Sequence, residues 1–141
     1  MEMLQNDLSV QLLPTDKALF RKHIQRELKE IRQEVAEAHA LDNEIDLVPD
    51  SAYDDASNLS EILFDHRIPM PDIGWLVDGG IGFEWRSQQV KGIGTMSIYG
   101  DKKVIYGASL GSGHKEKGTC ALTDLVQLTG FLSTLKTLCS Q

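Results

Sequence analysis

Apolar and polar positions along the chain change period twice, and each change marks a new element. Phe20, Ile24, Leu28, Ile31, Val35 and Ala38 recur at spacings of three and four, while Arg21, Lys22, Gln25, Lys29, Arg32 and Gln33 fall between them. That is one apolar stripe on a helix, predicted from Asp16 to about Ala40 and about 37 Å long. Pro14, Thr15 and Asp16 supply its start, because a side-chain oxygen there can accept from the amides of the first turn. The stripe predicts a spine lying across the fold; a coiled-coil dimer is the alternative. A second helix is expected from Asp50 to about Asp65, capped by Asp50 or Ser51 and burying Ala52, Ala56, Leu59 and Leu63. Asp54 and Asp55 near its start suit the positive end of the helix dipole. Pro69 and Pro71 stop further helix.

Beyond Pro71 the period becomes two. Ile73–Val77, Ile81–Arg86, Gly92–Tyr99 and Lys103–Ser109 are rich in Ile, Val and aromatic residues, with Asp78-Gly79-Gly80 and Gly100-Asp101 as turn sequences between them. Ile81, Phe83 and Trp85 fall on one face, with Gly82, Glu84 and Arg86 on the other. In the next run Ile93, Thr95, Ser97 and Tyr99 oppose Gly94, Met96 and Ile98. These runs predict a four-stranded antiparallel meander with its apolar face under the long helix. Residues 111–118 (GSGHKEKG) read as a polar loop. A closing helix follows within 119–140, begun by Thr119 or Cys120 and burying Leu122, Leu125, Val126, Leu128, Leu132, Leu135 and Leu138.

The expected fold class is therefore α+β in a single domain over 1–141: an arm (1–13), an acidic helical part (14–66), a β-meander (69–110) and a C-terminal helix (119–140). A chain of 141 residues with 41% hydrophobic and 25% charged residues fits one globular core. No apolar run approaches the about 20 residues that span a bilayer, and Met1 to Leu13 lacks the basic and apolar regions of a signal peptide. A cytoplasmic protein without membrane contact is expected, with Cys120 and Cys139 as reduced thiols.

Charge sharpens this picture. The net charge is −7, yet from Gln33 to His66 there is no Lys or Arg while ten acids occur. That window carries −10, leaving +3 on the rest of the chain. Phosphate contacts need Lys and Arg, so direct nucleic-acid binding through this region is not expected. An acidic face instead attracts a basic protein surface. The partner-binding candidates are Asp42, Glu44, Asp46, Asp50, Asp54, Asp55, Glu61 and Asp65; the bland reading is a solvated surface.

The search for chemistry predicts no catalytic site, no cofactor and no metal. His23, His39 and His66 lack the paired spacing of zinc ligands, and read as structural. Asp42-Asn43-Glu44-Ile45-Asp46 opens like a calcium loop, but Leu47 stands where glycine is needed and Tyr53 where a bidentate Glu is needed. Gly80-Ile81-Gly82 and Gly92-Ile93-Gly94 lie in strands rather than at strand-to-helix turns, and no phosphate loop spacing occurs around 107–119. Ser109 and Ser112 have no nucleophile elbow around them.

Pro71-Asp72-Ile73 followed by Asp78-Gly79-Gly80-Ile81-Gly82-Phe83-Glu84-Trp85, then Val104-Ile105-Tyr106 and a leucine-rich 121–138 segment, resembles a widespread set of small uncharacterised bacterial proteins. The resemblance covers about half of the chain, from Pro69 onward. Its members resemble accessory genes of mobile elements and toxin–antitoxin-like loci, which implies a protein-binding role and makes Gly80, Phe83 and Trp85 fold-makers.

The leading expectation is a non-enzymatic binding protein that neutralises a partner through its acidic surface, as an antitoxin, immunity factor or anti-CRISPR-like inhibitor does. A basic nucleic-acid-binding protein is the partner class expected, and charge reversal of Asp54, Asp55 and Glu61 is expected to abolish binding. Two rivals stand beside it. One is a homodimeric assembly module joined through the long helix. The other is a small ligand-binding domain or enzyme on the sheet face near Glu84, Trp85 and Tyr106, with the 111–118 loop as a lid.

Overall fold

The computed structural model describes residues 16–87 and 91–140, so the arm expected at 1–13 lies outside the described residues. Among them the order is α1 (Lys17–Leu41), α2 (Asp50–Asp65), β1 (Asp72–Trp75), β2 (Ile81–Arg86), β3 (Ile93–Ile98), β4 (Lys103–Ser109), β5 (Lys115–Ala121) and α3 (Leu125–Cys139). The five strands form one antiparallel sheet in sequential order, each paired with the next. The class is α+β, as the two periods require.

Asp16 starts α1: its Oδ1 accepts from Ala18 N (2.9 Å) and Leu19 N (3.2 Å). Phe20, Ile24, Leu28, Ile31 and Val35 are buried, so the apolar stripe is used within the chain and is not free for a coiled coil. It lies chiefly against α2 and meets the sheet mainly at edge strand β1. The inner sheet face is instead covered by α2 and α3. The expected spine over the sheet is thus corrected: α1 is an outer layer whose seam with α2 is held by an antiparallel series of polar pairs. Lys17 meets Asp65 (2.8 Å), Arg21 meets Glu61, Gln25 meets Ser57 (2.9 Å) and Arg32 meets Asp50 (2.8 Å).

No side-chain cap opens α2; Pro49 precedes it and Asp50 sits in its first turn, so the capping role expected for Asp50 or Ser51 is not taken. Its end is a six-residue closure. Ile68 N reaches Leu63 O and Arg67 N reaches Phe64 O (3.0 Å each), with Arg67 at φ 58° where glycine is usual. The helix has therefore stopped before Pro69.

The fifth strand is the main departure from expectation. Residues 115–121 pair with β4 from Ser109↔Lys115 to Lys103↔Ala121, so only 110–114 form the connection. Glu116, Gly118 and Cys120 point inward there, a polar, small and thiol set without the apolar alternation that marks the other strands. Gly118 lies beneath the ring of Tyr106, its register partner; a Cβ at Gly118 would stand 2.6 Å from Tyr106 Cζ. The closing helix begins only at Leu125, capped by Asp124, whose Oδ1 accepts from Gln127 N (3.2 Å). Cys120 is on β5, and Leu125 and Val126, counted among the buried leucine-rich positions by spacing, are 52% and 88% exposed in the first turn.

The core joins Ile81, Phe83, Trp85, Met96, Ile98 and Val104 of the sheet to Ala52, Ala56, Leu59 and Leu63 of α2 and Leu128, Phe131, Leu132, Leu135 and Leu138 of α3. The assignment of sides on β2 and β3 follows the alternation read from sequence. The other sheet face carries no helix among the described residues. One of its cross-strand rows reads Asp72, Glu84, Thr95, Gly107, Lys117; the next reads Gly74, Gly82, Ser97, Ile105, Thr119.

Candidate functional site

The eight acidic candidates separate into three groups. Asp50, Glu61 and Asp65 are tied to α1. Arg32 donates to Asp50 and lies over the Tyr53 ring, 4.1 Å from its centre. Arg21 grips both oxygens of Glu61, and this hydrogen bonding holds the Glu61 carboxyl below the usual carboxylate range while raising the Arg21 guanidinium. Lys17 bonds Asp65 and is raised by it. These charges are neutralised within the fold.

Asp55 stands alone in the second group. It is 4% exposed, and its Oδ2 accepts from the backbone N–H of Lys102 (2.8 Å). It anchors the β3–β4 turn to α2 and is not on the surface. A charge reversal there would test folding rather than binding.

Asp42, Glu44, Asp46 and Asp54 form the third group, exposed and without an ion pair among the described residues. Asp42 ends α1 and its Oδ1 accepts from Glu44 N (3.0 Å), which sets the 42–49 connection. His39 supports the same connection, its Nδ1 donating to Ile45 O (2.6 Å). His66 likewise donates to Ile62 O (2.9 Å) and His23 accepts from Arg26 (3.3 Å), so all three histidines have local structural partners.

Three connections meet at this end of the molecule. Asp46 N donates to Val77 O (2.9 Å), and Gly79, at φ +95°, fits so closely under the connection that a Cβ would stand 3.3 Å from Leu47 O. Tyr99 donates its hydroxyl to Asp78 (3.1 Å), with burial and the carboxylate pushing its phenol up. Gly100, at φ +90°, packs on Pro49 and Ala52 at the start of α2. The connections that meet here carry Glu44, Asp46 and two acids the sequence pattern did not single out, Asp78 and Asp101, while Asp54 lies one turn into α2 next to the Asp55 that holds the 99–102 turn. Leu47 and Val77, 55% and 64% exposed, lie beside the Asp46–Val77 bond. Arg32, Lys102 and Lys103 are the exposed cations nearby. The one signal in sequence for Asp78 and Asp101 was their place in turns; that those turns abut residues 42–55 is tertiary information.

The alternative site near Glu84 is divided by the sheet. Glu84 points to the open face, where Arg86 Nε donates to it (2.6 Å). Trp85 is buried on the inner face and donates Nε1–H to Pro69 O (2.8 Å); Tyr106 is inner too and accepts from Gln127 (2.8 Å). The 115–118 part of the supposed lid belongs to β5. Among the described residues no group of three His, Cys, Asp or Glu could hold a metal ion. No helix among them is long and apolar enough to cross a membrane. Burial pushes both thiols up, Cys120 and the half-buried Cys139.

No protein-family model, curated protein or solved structure matches this chain.

Proposed function

We propose that the chain is a non-enzymatic binding protein that occupies a basic surface of another protein through its acidic end, in the manner of an antitoxin, immunity factor or anti-defence inhibitor. The observation that carries this reading is the convergence of the 42–49, 76–80 and 99–102 connections. They bring carboxylates that have no ion pair among the described residues to the same end as two exposed apolar side chains, Leu47 and Val77. Apolar contact with a charged rim is the usual anatomy of a protein interface. The carboxylates steer and register a partner, and the apolar pair supplies burial.

A nucleic-acid-handling protein is the partner class with the matching charge, since its phosphate-binding surface is rich in Lys and Arg. The resemblance of residues 71–85 to small proteins of mobile-element and toxin–antitoxin-like loci supports the same direction by analogy. Binding should depend on Glu44, Asp46 and Asp54, with Asp55, Glu61 and Asp65 left intact because they serve the fold. Capture of a partner by the native chain, compared with the Glu44→Lys, Asp46→Lys, Asp54→Lys triple variant, tests this.

A further inference from the structure

The open sheet face carries a second surface, remote in its chemistry from the acidic end. Its row Asp72, Glu84, Thr95, Gly107, Lys117 is aligned by register across all five strands. The row runs from two carboxylates, through a hydroxyl and a glycine, to an ammonium group. Glu84 is partnered by Arg86 (2.6 Å), whereas Asp72 and Lys117 are exposed and have no ion pair among the described residues. They stand at opposite edges, four strand spacings or about 19 Å apart. The neighbouring row toward the 76–80 turn is uncharged, and the row on the other side, Arg86, Ile93, Ser109, Lys115, adds a second lysine at the β5 edge beside Lys117. Gly74 and Gly107 carry no side chain over the face, and Leu76 lies over Gly82.

We infer that this face binds a second copy of the same chain, sheet to sheet, about a two-fold axis that runs parallel to the strands through Thr95. That operation exchanges the two edges of the sheet. Asp72 of each copy is laid over Lys117 of the other, and the contact is made twice, as an isologous interface requires. A face of one charge sign would repel its own copy; a row that is antisymmetric in charge attracts it. The sheet is about 24 Å across five strands and about 20 Å along them, so each copy covers about 480 Å². The total of about 1,000 Å² is near the lower limit for a specific interface. The dimer is therefore weak, and because its charge pairs are at the rim it weakens further with salt.

Sedimentation equilibrium of the full chain at low and high salt tests this, with Asp72→Lys and Lys117→Glu as variants. Both positions are exposed, and circular dichroism verifies that each variant folds. The native chain should dimerise at low salt and dissociate at high salt. Each variant alone should dimerise about tenfold or more weakly, since both of its symmetric contacts become repulsive. An equimolar mixture of the two should recover a heterodimer. One of its two contacts then sets the lysine introduced by Asp72→Lys against the glutamate introduced by Lys117→Glu, and the other keeps the native pair of Asp72 and Lys117. A native chain that stays monomeric at low salt, variants that dimerise as it does, or a mixture that recovers nothing would each overturn the inference. Since Asp72 and Lys117 lie outside the acidic end, failure here leaves the proposed partner binding to its own test.

Discussion

Asp55 and Lys102 are joined by a hydrogen bond between a carboxylate that is 4% exposed and a backbone amide 47 positions later, at 2.8 Å. Lys102 has φ 62°, a left-handed conformation that costs a residue with a Cβ about 1–2 kcal/mol. The bond holds the β3–β4 turn in that conformation against the start of α2. Asp55→Ala should therefore destabilise the protein by about 1–3 kcal/mol, removing the partner of a part-buried amide that holds the turn. Lys102→Gly should raise stability by about 0.5–1 kcal/mol by relieving the backbone. Urea denaturation of the two variants measures both signs.

Gly118 is fixed by its neighbour rather than by its own dihedral angles. The Tyr106 ring above it packs at 4.5 Å on Phe131, and its hydroxyl is held by Gln127. It has little freedom to move aside for a methyl group. Gly118→Ala should cost about 1–3 kcal/mol, the range for an overpacked core. A thermal melt of Gly118→Ala beside Gly113→Ala separates this from backbone strain. At Gly113 no atom stands within 4 Å of a Cβ but φ is +93°, so its cost is conformational alone.

The α1–α2 seam predicts an acid response with a definite sign. Hydrogen bonding from Arg21 lowers the Glu61 carboxyl in the folded state. The folded protein thus takes up that proton less readily than the unfolded chain, and the contribution is complete above the ordinary carboxylate value of about 4.3. It is lost as pH falls through the lowered folded value. The stability gap between the native chain and Glu61→Gln should be constant near neutrality and close on acidification below about pH 4.3. Denaturation followed at a series of pH values checks this, and added salt should narrow the gap because the pair is part exposed.

Both thiols should react slowly in the folded protein. Burial favours the uncharged thiol at Cys120 and Cys139, and the thiolate is the nucleophile. Alkylation should be slow under native conditions and should accelerate sharply in denaturant, with peptide mapping assigning each site.

Most of the architecture could be read where burial and periodicity coincide. The α1 stripe, the Ala52, Ala56, Leu59, Leu63 face of α2 and the alternation of β2 and β3 all place apolar side chains at a fixed period. β5 escaped that logic because its inward positions are Glu116, Gly118 and Cys120. Glu116 accepts from Thr134 (2.6 Å) and Gly118 makes room for Tyr106, so neither announces burial by hydrophobicity. Leu125 and Val126 misled in the opposite way, carrying apolar character into an exposed first turn. For the acidic residues, sequence shows charge but not its partner. Glu61 and Asp65 meet cations 40 and 48 positions away, whereas Asp55 meets an amide, so acids that look alike in one dimension have different partners in the fold.

Partner binding through the acidic end is tested most directly by parallel captures from native lysate. The baits are the tagged native chain and the Glu44→Lys, Asp46→Lys, Asp54→Lys triple variant, with Glu30→Lys, an exposed position on α1 without an ion pair among the described residues, as a charge control away from the 42–54 cluster. The account predicts one basic, nucleic-acid-handling partner that is retained by the native chain and the control and lost by the triple variant. A partner held equally by all three baits, or no stable partner on the native chain, would contradict it.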